Sequence, residues 1–236
     1  MLLLLLLASW LAATLSGAAG FGGALVLLPV LSATIDVKAA VPVLTIAQIA
    51  GNTSRVWFGR REIRWRPTTY FLAGAIPASL AGSTLFVSLP ARPVLVALGA
   101  LLVGVVLLRR LGITRFDFGE RGLLVGGILT GFISGVAGSD GPLGAAFFLG
   151  LNLPPVAYVA SEAVTAVGMH VAKTIVYQRS LLVGSRELGY GLFMGIGMIA
   201  GSWTGKRMIE RLPQSAFVGL VEVMLVISAV QLIVFS

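Results

Sequence analysis

Two stretches decide how this chain is read: Ser16-Gly17-Ala18-Ala19-Gly20-Phe21-Gly22-Gly23 and Ser134-Gly135-Val136-Ala137-Gly138-Ser139-Asp140-Gly141. In one-letter form they are SGAAGFGG and SGVAGSDG, 118 residues apart in a chain of 236. Each lies inside an apolar run, 2–33 and 122–149, longer than the ~20 residues that cross a bilayer as one helix. Glycine is a poor helix former, and an opened helix leaves backbone groups without partners. In hydrocarbon those groups need protein or a watery cavity. The two runs are therefore expected to be broken or re-entrant helices beside a cavity. Asp140-Gly141-Pro142 adds a restart signal, because proline suits a first helical turn, where no amide proton is needed. A new helix is expected near Gly141 and, by the repeat, near Gly22 or Gly23. Such starts present free amides and the positive end of a helix dipole, which suits an anion. Two of them meeting near the midplane would cradle one anionic substrate. The plainer alternative is that the glycines only permit close helix crossing.

Working outward, hydrophobic residues make up 57% of the chain and charged residues 11%, with mean hydropathy +0.99. A soluble domain carries roughly 25% charged residues, and a chain this short cannot hide so much apolar surface in one core. An ordinary soluble enzyme is excluded, and an all-α polytopic membrane protein in the lipid bilayer is expected. The net charge of +8 comes from basic residues in the gaps between apolar runs. That placement reads as topology, and there is no nucleic-acid motif of interleaved basic and aromatic residues. With no cysteine and one histidine, neither a thiolate site nor a multi-histidine metal cluster is available.

The Leu-rich start, residues 1–10, lacks a basic n-region and a clear cleavage site. It is expected to be a retained membrane helix. Further apolar runs cover 39–58, 68–89, 93–108, 155–176, 188–205 and 215–235. The 118-residue offset also sets Asn52 opposite His170, Arg55 opposite Lys173, and Arg61 opposite Arg179. Two pseudo-symmetric halves, 1–118 and 119–236, are expected within one transmembrane domain. Each half would be a glycine-broken or re-entrant helix followed by three transmembrane helices. Internal symmetry of this kind is typical of secondary transporters.

If the broken runs re-enter, the halves are inverted. Arg60, Arg61, Arg64, Arg66, Arg109, Arg110, Arg115, Arg121, Lys206, Arg207 and Arg211 then share one side, against Lys38, Arg92, Arg179 and Arg186 on the other. If all eight runs cross, the division is ten to five and the repeats are parallel. The positive-inside rule slightly favours the inverted arrangement.

Ionisable residues inside membrane segments are rare and often functional. At ~100° per residue, Glu162, Ala166, His170 and Lys173 share one helix face. Thr45, Gln48, Asn52 and Arg55 share the corresponding face of 39–58. Both faces are expected to line the cavity. Gly20, Gly22, Gly23, Asn52, Gly138, Ser139, Asp140, Gly141 and His170 are the candidate substrate-binding residues. Asp140, Glu162, His170 and Lys173 are candidates for ion coupling, His170 because its pKa lies near physiological pH. Each has a plainer role. His170 can be a hydrogen-bonded core residue, and Asp140 can cap the restarting helix. Glu162 can neutralise Lys173 or His170. Lys173 and Arg55 can snorkel to the headgroups. Trp57, Trp65 and Trp203 suit the interface. Ser16 and Ser134 can bond either the opened backbone or the substrate.

The Gly-x-Gly-Gly cluster is followed by a short apolar run and a proline, residues 24–31 with Pro29. Residues 59–66, with Glu62, Ile63 and Trp65, are similar to a glycine-isoleucine-acid-tryptophan loop. Together they resemble the TauE/SafE family of sulfite and sulfonate exporters, over nearly the whole chain. That resemblance implies transport of small organosulfur anions across a bacterial inner membrane by a multi-pass protein with no bound cofactor. The chain departs from the pattern at Asp140, which stands where a glycine is expected, and at Phe147, which replaces the proline matching Pro29. Glu62 precedes Ile63, and Arg64 stands where an acid is usual.

The leading expectation is thus a secondary transporter of a small anion, working by alternating access with proton coupling. An anion channel is the alternative, and an intramembrane enzyme comes third. No phosphate-binding Gly-x-x-x-x-Gly-Lys-Ser/Thr loop, nucleophile elbow or His-Glu-x-x-His motif is present. A homodimer is expected only from the small size of the chain.

Overall fold

The computed structural model describes residues 2–32, 35, 37–86, 119–137, 141–180 and 182–234. Every regular element among them is an α-helix: α1 (Leu2–Ala19), α2 (Gly23–Ser32), α3 (Val37–Gly59), α4 (Trp65–Phe86), α5 (Gly119–Ala137), α6 (Gly141–Gly150), α7 (Pro155–Arg179), α8 (Ser185–Ile209) and α9 (Gln214–Val234). The expected helix at 93–108 lies outside the described residues.

The long apolar run at the N-terminus is broken where the glycines bunch. Gly20 follows α1 with φ +88°, and its amide donates to the Ser16 carbonyl at 2.8 Å. A left-handed glycine is a common helix stop, because it closes off orphan carbonyls without a Cβ clash. Gly22 has φ +106°, and α2 restarts at the next residue. In the second run α5 ends at Ala137 and α6 starts at Gly141, with Pro142 in its first turn.

Glycine and other small residues also set how the helices pack. Gly197 of α8 lies against Leu6 and Ser9, Gly201 against Trp10 and Ala13, and Gly205 against Thr14 and Gly17. The numbers rise together, so α1 and α8 run parallel. A Cβ on Gly201 would come within 2.2 Å of the Trp10 carbonyl oxygen. Backbones this close are what small residues permit in membrane bundles. By the same reading α4 and α5 are parallel, with Gly127 against Phe71 and Gly131 against Ala75. So are α3 and α8, with Gly191 against Ile46 and Gly195 against Ala50. Between α4 and α7, Gly168 meets Leu72 and Ile76, and the Phe86 and Tyr177 rings pack 5.6 Å apart. That pair is parallel too. At the centre, α3 and α7 are antiparallel. Gly59 lies against Ala160 and Val156, and Arg55 faces Glu162.

Since α1 and α3 both run parallel to α8, the chain reverses through α2. It reverses through α6 for the same reason, because α5 and α7 both run parallel to α4.

The partition of residues is that of a protein dissolved in lipid. Leu3, Leu7 and Leu11 of α1, Val125, Ile128 and Leu129 of α5, and Leu192, Ile196 and Ile199 of α8 are exposed. Thr45, Gln48, Asn52, Arg55, Glu162, His170 and Lys173 are buried. Water would favour the reverse arrangement. Among the described residues, two helices are long and apolar enough to cross a membrane, Leu2–Ala19 and Trp65–Phe86. Helices α3 and α7 are long enough as well, but the polar faces they turn inward lower their mean hydropathy. Trp57, Trp65 and Trp203 are exposed, as interfacial anchors require.

Candidate functional site

The interior site is built where α3 and α7 cross beside the breaks. Arg55 extends from α3 to the end of α1. It donates through Nη1 to the Ser16 carbonyl at 3.0 Å and to the Gly20 carbonyl. The Ser16 carbonyl already accepts from the Gly20 amide, and the Gly20 carbonyl lies just past the end of α1; the guanidinium adds a donor to both and complements the negative end of the α1 dipole. Across the helix crossing, Arg55 Nη1 lies 3.7 Å from Glu162 Oε2 of α7. Arg55 is thus buried and tied to the opened backbone; it does not snorkel. Lys173 does not snorkel either. It is fully buried, and its Nζ donates to Ser134 Oγ at 2.9 Å. The two basic residues therefore reach equivalent points. Each contacts the serine 39 residues before it, at the end of the helix that precedes the break.

On the same face of α3 as Arg55 lie two buried amides. Both polar side-chain atoms of Asn52, and Nε2 of Gln48, have no hydrogen-bond partner among the described residues. A buried polar atom left unpaired costs ~1–3 kcal/mol, so such atoms mark a place where water or a ligand belongs. Gln48 sits beside the start of α2. A Cβ on Gly23 would stand 3.7 Å from Gln48 Oε1 and 3.6 Å from Ser16 Oγ. The glycine there leaves the first turn of α2 open toward these polar groups. On the other half, Thr130 Oγ1 is likewise buried and unpartnered among the described residues. It lies beside Gly144 of α6.

Gly20 is needed on two counts. Its φ suits glycine, and a Cβ would stand 2.5 Å from the Tyr158 ring. Tyr158, from α7, is fully buried, packs on Phe217 and donates to the Ala145 carbonyl at 3.3 Å. Sequence reasoning missed Tyr158. Nothing at its place in the first half matches it, and one tyrosine in an apolar run carries no periodic signal.

Of the residues singled out from sequence, Gly20, Gly22, Gly23, Asn52, Glu162, His170 and Lys173 fall on these breaks or on the two crossing helices. Gly141 opens α6. Gly138, Ser139 and Asp140 lie outside the described residues. His170 is completely buried on the inward face of α7, and its carbonyl accepts from Thr174 Oγ1 at 2.8 Å. Among the described residues no group of three or more His, Cys, Asp or Glu could hold a metal ion.

Among the described residues, the crossing therefore carries buried Arg55 and Glu162 beside an opened helix and amide donors without partners, while buried Lys173 stands at the end of α5. Cations and amide donors are the groups that hydrogen-bond small anions. The family model described as "Sulfite exporter TauE/SafE" matches residues 5–232. No curated protein and no solved structure matches the chain. A match over nearly the whole length, on a helical bundle with a polar interior and an apolar exterior, places the chain in the TauE/SafE sulfite exporter family of membrane transporters.

Proposed function

We propose that the protein is a secondary transporter of a small anion: sulfite, a sulfonate or another organosulfur compound. It works by alternating access as a multi-pass protein of a bacterial inner membrane. The observation that carries this is the pair of buried amides without a full set of partners among the described residues. Gln48 stands beside the start of α2, and Asn52 lies between it and Arg55 on the same face of α3. Sulfur oxyanions offer several acceptor oxygens and no donors, the complement of amide N–H groups, a helix start and a guanidinium.

Two pseudo-symmetric, inverted halves, 1–118 and 119–236, are part of the proposal. Helices α2 and α6 start 118 residues apart, and so do α3 and α7. Pairs exchange consistently: α1 with α8 matches α5 with α4, and α3 with α8 matches α7 with α4. Two parallel copies would not turn α3 and α7 against each other. Reversal through α2 and α6 supports re-entrant segments. Proton coupling would use Glu162, His170 and Lys173, the titratable groups that share this face of α7, together with Asp140.

The test is a thermal-shift screen of the purified protein against sulfite, sulfate, thiosulfate, sulfoacetate, taurine and small carboxylates. Stabilisation by at least one sulfur oxyanion is expected, and it should be lost in Gly23→Leu. No shift with any of them overturns the substrate class. An anion channel would share the breaks but not the saturable counterflow expected in proteoliposomes.

A further inference from the structure

Two cavities meet at the end of the molecule where α3 stops and α7 begins. The inner one has a volume of 10 Å³ and is lined by Arg55, Ser202, Gly59, Ala160 and their neighbours. The outer one has a volume of 670 Å³ and is lined by Arg60, Arg61, Glu62, Lys206, Glu210 and neighbouring residues. Phe58, Gly59, Val156, Lys206 and Ile209 line both. The two cavities therefore share a wall. Between them α3 and α7 pack closely, and a Cβ on Gly59 would stand 2.6 Å from the Ala160 Cβ. A cavity of ~10–15 Å³ holds one water. A sulfur oxyanion does not fit there until α3 and α7 part.

The walls of the outer cavity are unequal in charge. Three cations, Arg60, Arg61 and Lys206, face two carboxylates, Glu62 and Glu210. Glu210 pairs with Lys206 and lies 4.0 Å from Arg207, which leaves Arg60 and Arg61 facing Glu62. The Lys206 hydrogen bond, with Arg207 and Arg211 nearby, holds the Glu210 carboxyl below its usual range. Arg60 lies over the Trp57 ring, 4.2 Å from its centroid, which fixes its guanidinium at the rim. Orientation in the membrane requires only that basic residues lie on this side. It does not require three of them to line one cavity that shares a wall with a buried arginine.

We propose that the outer cavity is an antechamber, a second and transient site that gathers small anions before α3 and α7 part at the Gly59–Ala160 contact and admit them toward Arg55. This rests on the transporter reading above and adds a site to it. Cations around a recess concentrate anions there and raise their rate of capture.

The chain has no cysteine, so a single one reports cleanly. Val156→Cys places a thiol on the wall common to both cavities. In proteoliposomes of zwitterionic lipid, a sulfonate-bearing methanethiosulfonate reagent should modify it on the order of fivefold faster than a trimethylammonium-bearing one. Each rate is normalised to a free thiol. Adding Arg60→Gln and Arg61→Gln should bring the ratio toward one. Equal rates in the parent variant, or a ratio untouched by the arginine changes, overturn the antechamber. A third arm adds anionic phosphatidylglycerol. If the preference, normalised to a cysteine elsewhere on the same membrane surface, then disappears, the cavity holds a lipid headgroup and the proposal falls. Counterflow of sulfite in the same vesicles separates this from the transporter reading. Transport without charge preference removes the antechamber alone. Charge preference without counterflow of any sulfur oxyanion removes the transporter reading.

Discussion

Arg55 shows what a single residue contributes here. It caps the opened end of α1 and faces Glu162 within the buried interior. Removing one member of a buried pair leaves an uncompensated charge, which typically costs ~3–5 kcal/mol. Arg55→Ala is therefore expected to lower unfolding stability in detergent by about that amount. Arg55→Lys, which keeps the charge but loses the two-carbonyl fork, should fall between. Equal stability of Arg55→Ala and the parent would show that α1 does not depend on this cap. Gly20 gives a second expectation at this scale. A left-handed φ costs a residue with a Cβ ~1–2 kcal/mol, and the Tyr158 ring stands where that Cβ would be. Gly20→Ala should destabilise more than Gly23→Ala, whose Cβ meets only ordinary contacts. Equal thermal midpoints for the two would contradict this. The sequence marks both glycines by their bunching. It cannot tell which one bears conformational strain, because that depends on a tyrosine 138 positions away.

At the level of elements, the sequence shows where helices break and restart, because glycine and proline act locally. Gly23 and Gly141 both open helices at the expected places. The polar faces of α3 and α7 were legible too, because a 3.6-residue period puts Asn52 and Arg55, or His170 and Lys173, on one side. Their partners were not legible. That Arg55 would reach the carbonyls of Ser16 and Gly20 depends on how helices cross, and composition does not encode a crossing. The crossing of α3 and α7 carries its own prediction. A Cβ on Gly59 lies 3.6 Å from Val156 Cγ1, so a Gly59→Cys/Val156→Cys pair, made in an Ala160→Gly background that removes the Cβ otherwise 2.6 Å away, brings two sulfurs within bonding reach. Oxidation should stop flux, and a reductant should restore it, while each single-cysteine variant still transports. Undiminished flux through the oxidised protein would show that α3 and α7 do not separate at this level.

For the whole molecule, the two topologies that the charge count barely separates differ in one checkable respect. If every apolar run crosses, the turn after α3 and the turn after α8 lie on opposite sides of the membrane. The turn before α8 then joins the turn after α3. If the halves are inverted, the first two share a side and the turn before α8 lies opposite. The packing favours the second arrangement. Arg60, Arg61 and Glu62 line the same cavity as Lys206, Glu210 and Leu212. Helix α8 runs parallel to α3, and α7 runs against it, so the start of α8 is carried to the far end. The expected outcome follows for three single-cysteine variants in right-side-out vesicles, probed with a membrane-impermeant maleimide. Glu62→Cys and Leu212→Cys should be labelled only after the vesicles are opened, since their side carries the larger share of Lys and Arg. Val183→Cys should be labelled in intact vesicles. Labelling of Leu212→Cys from outside, with Glu62→Cys and Val183→Cys both protected, would leave eight crossings as the arrangement. It would also separate Lys206 from Arg60 and remove the inverted pairing of α3 with α7 on which alternating access is argued.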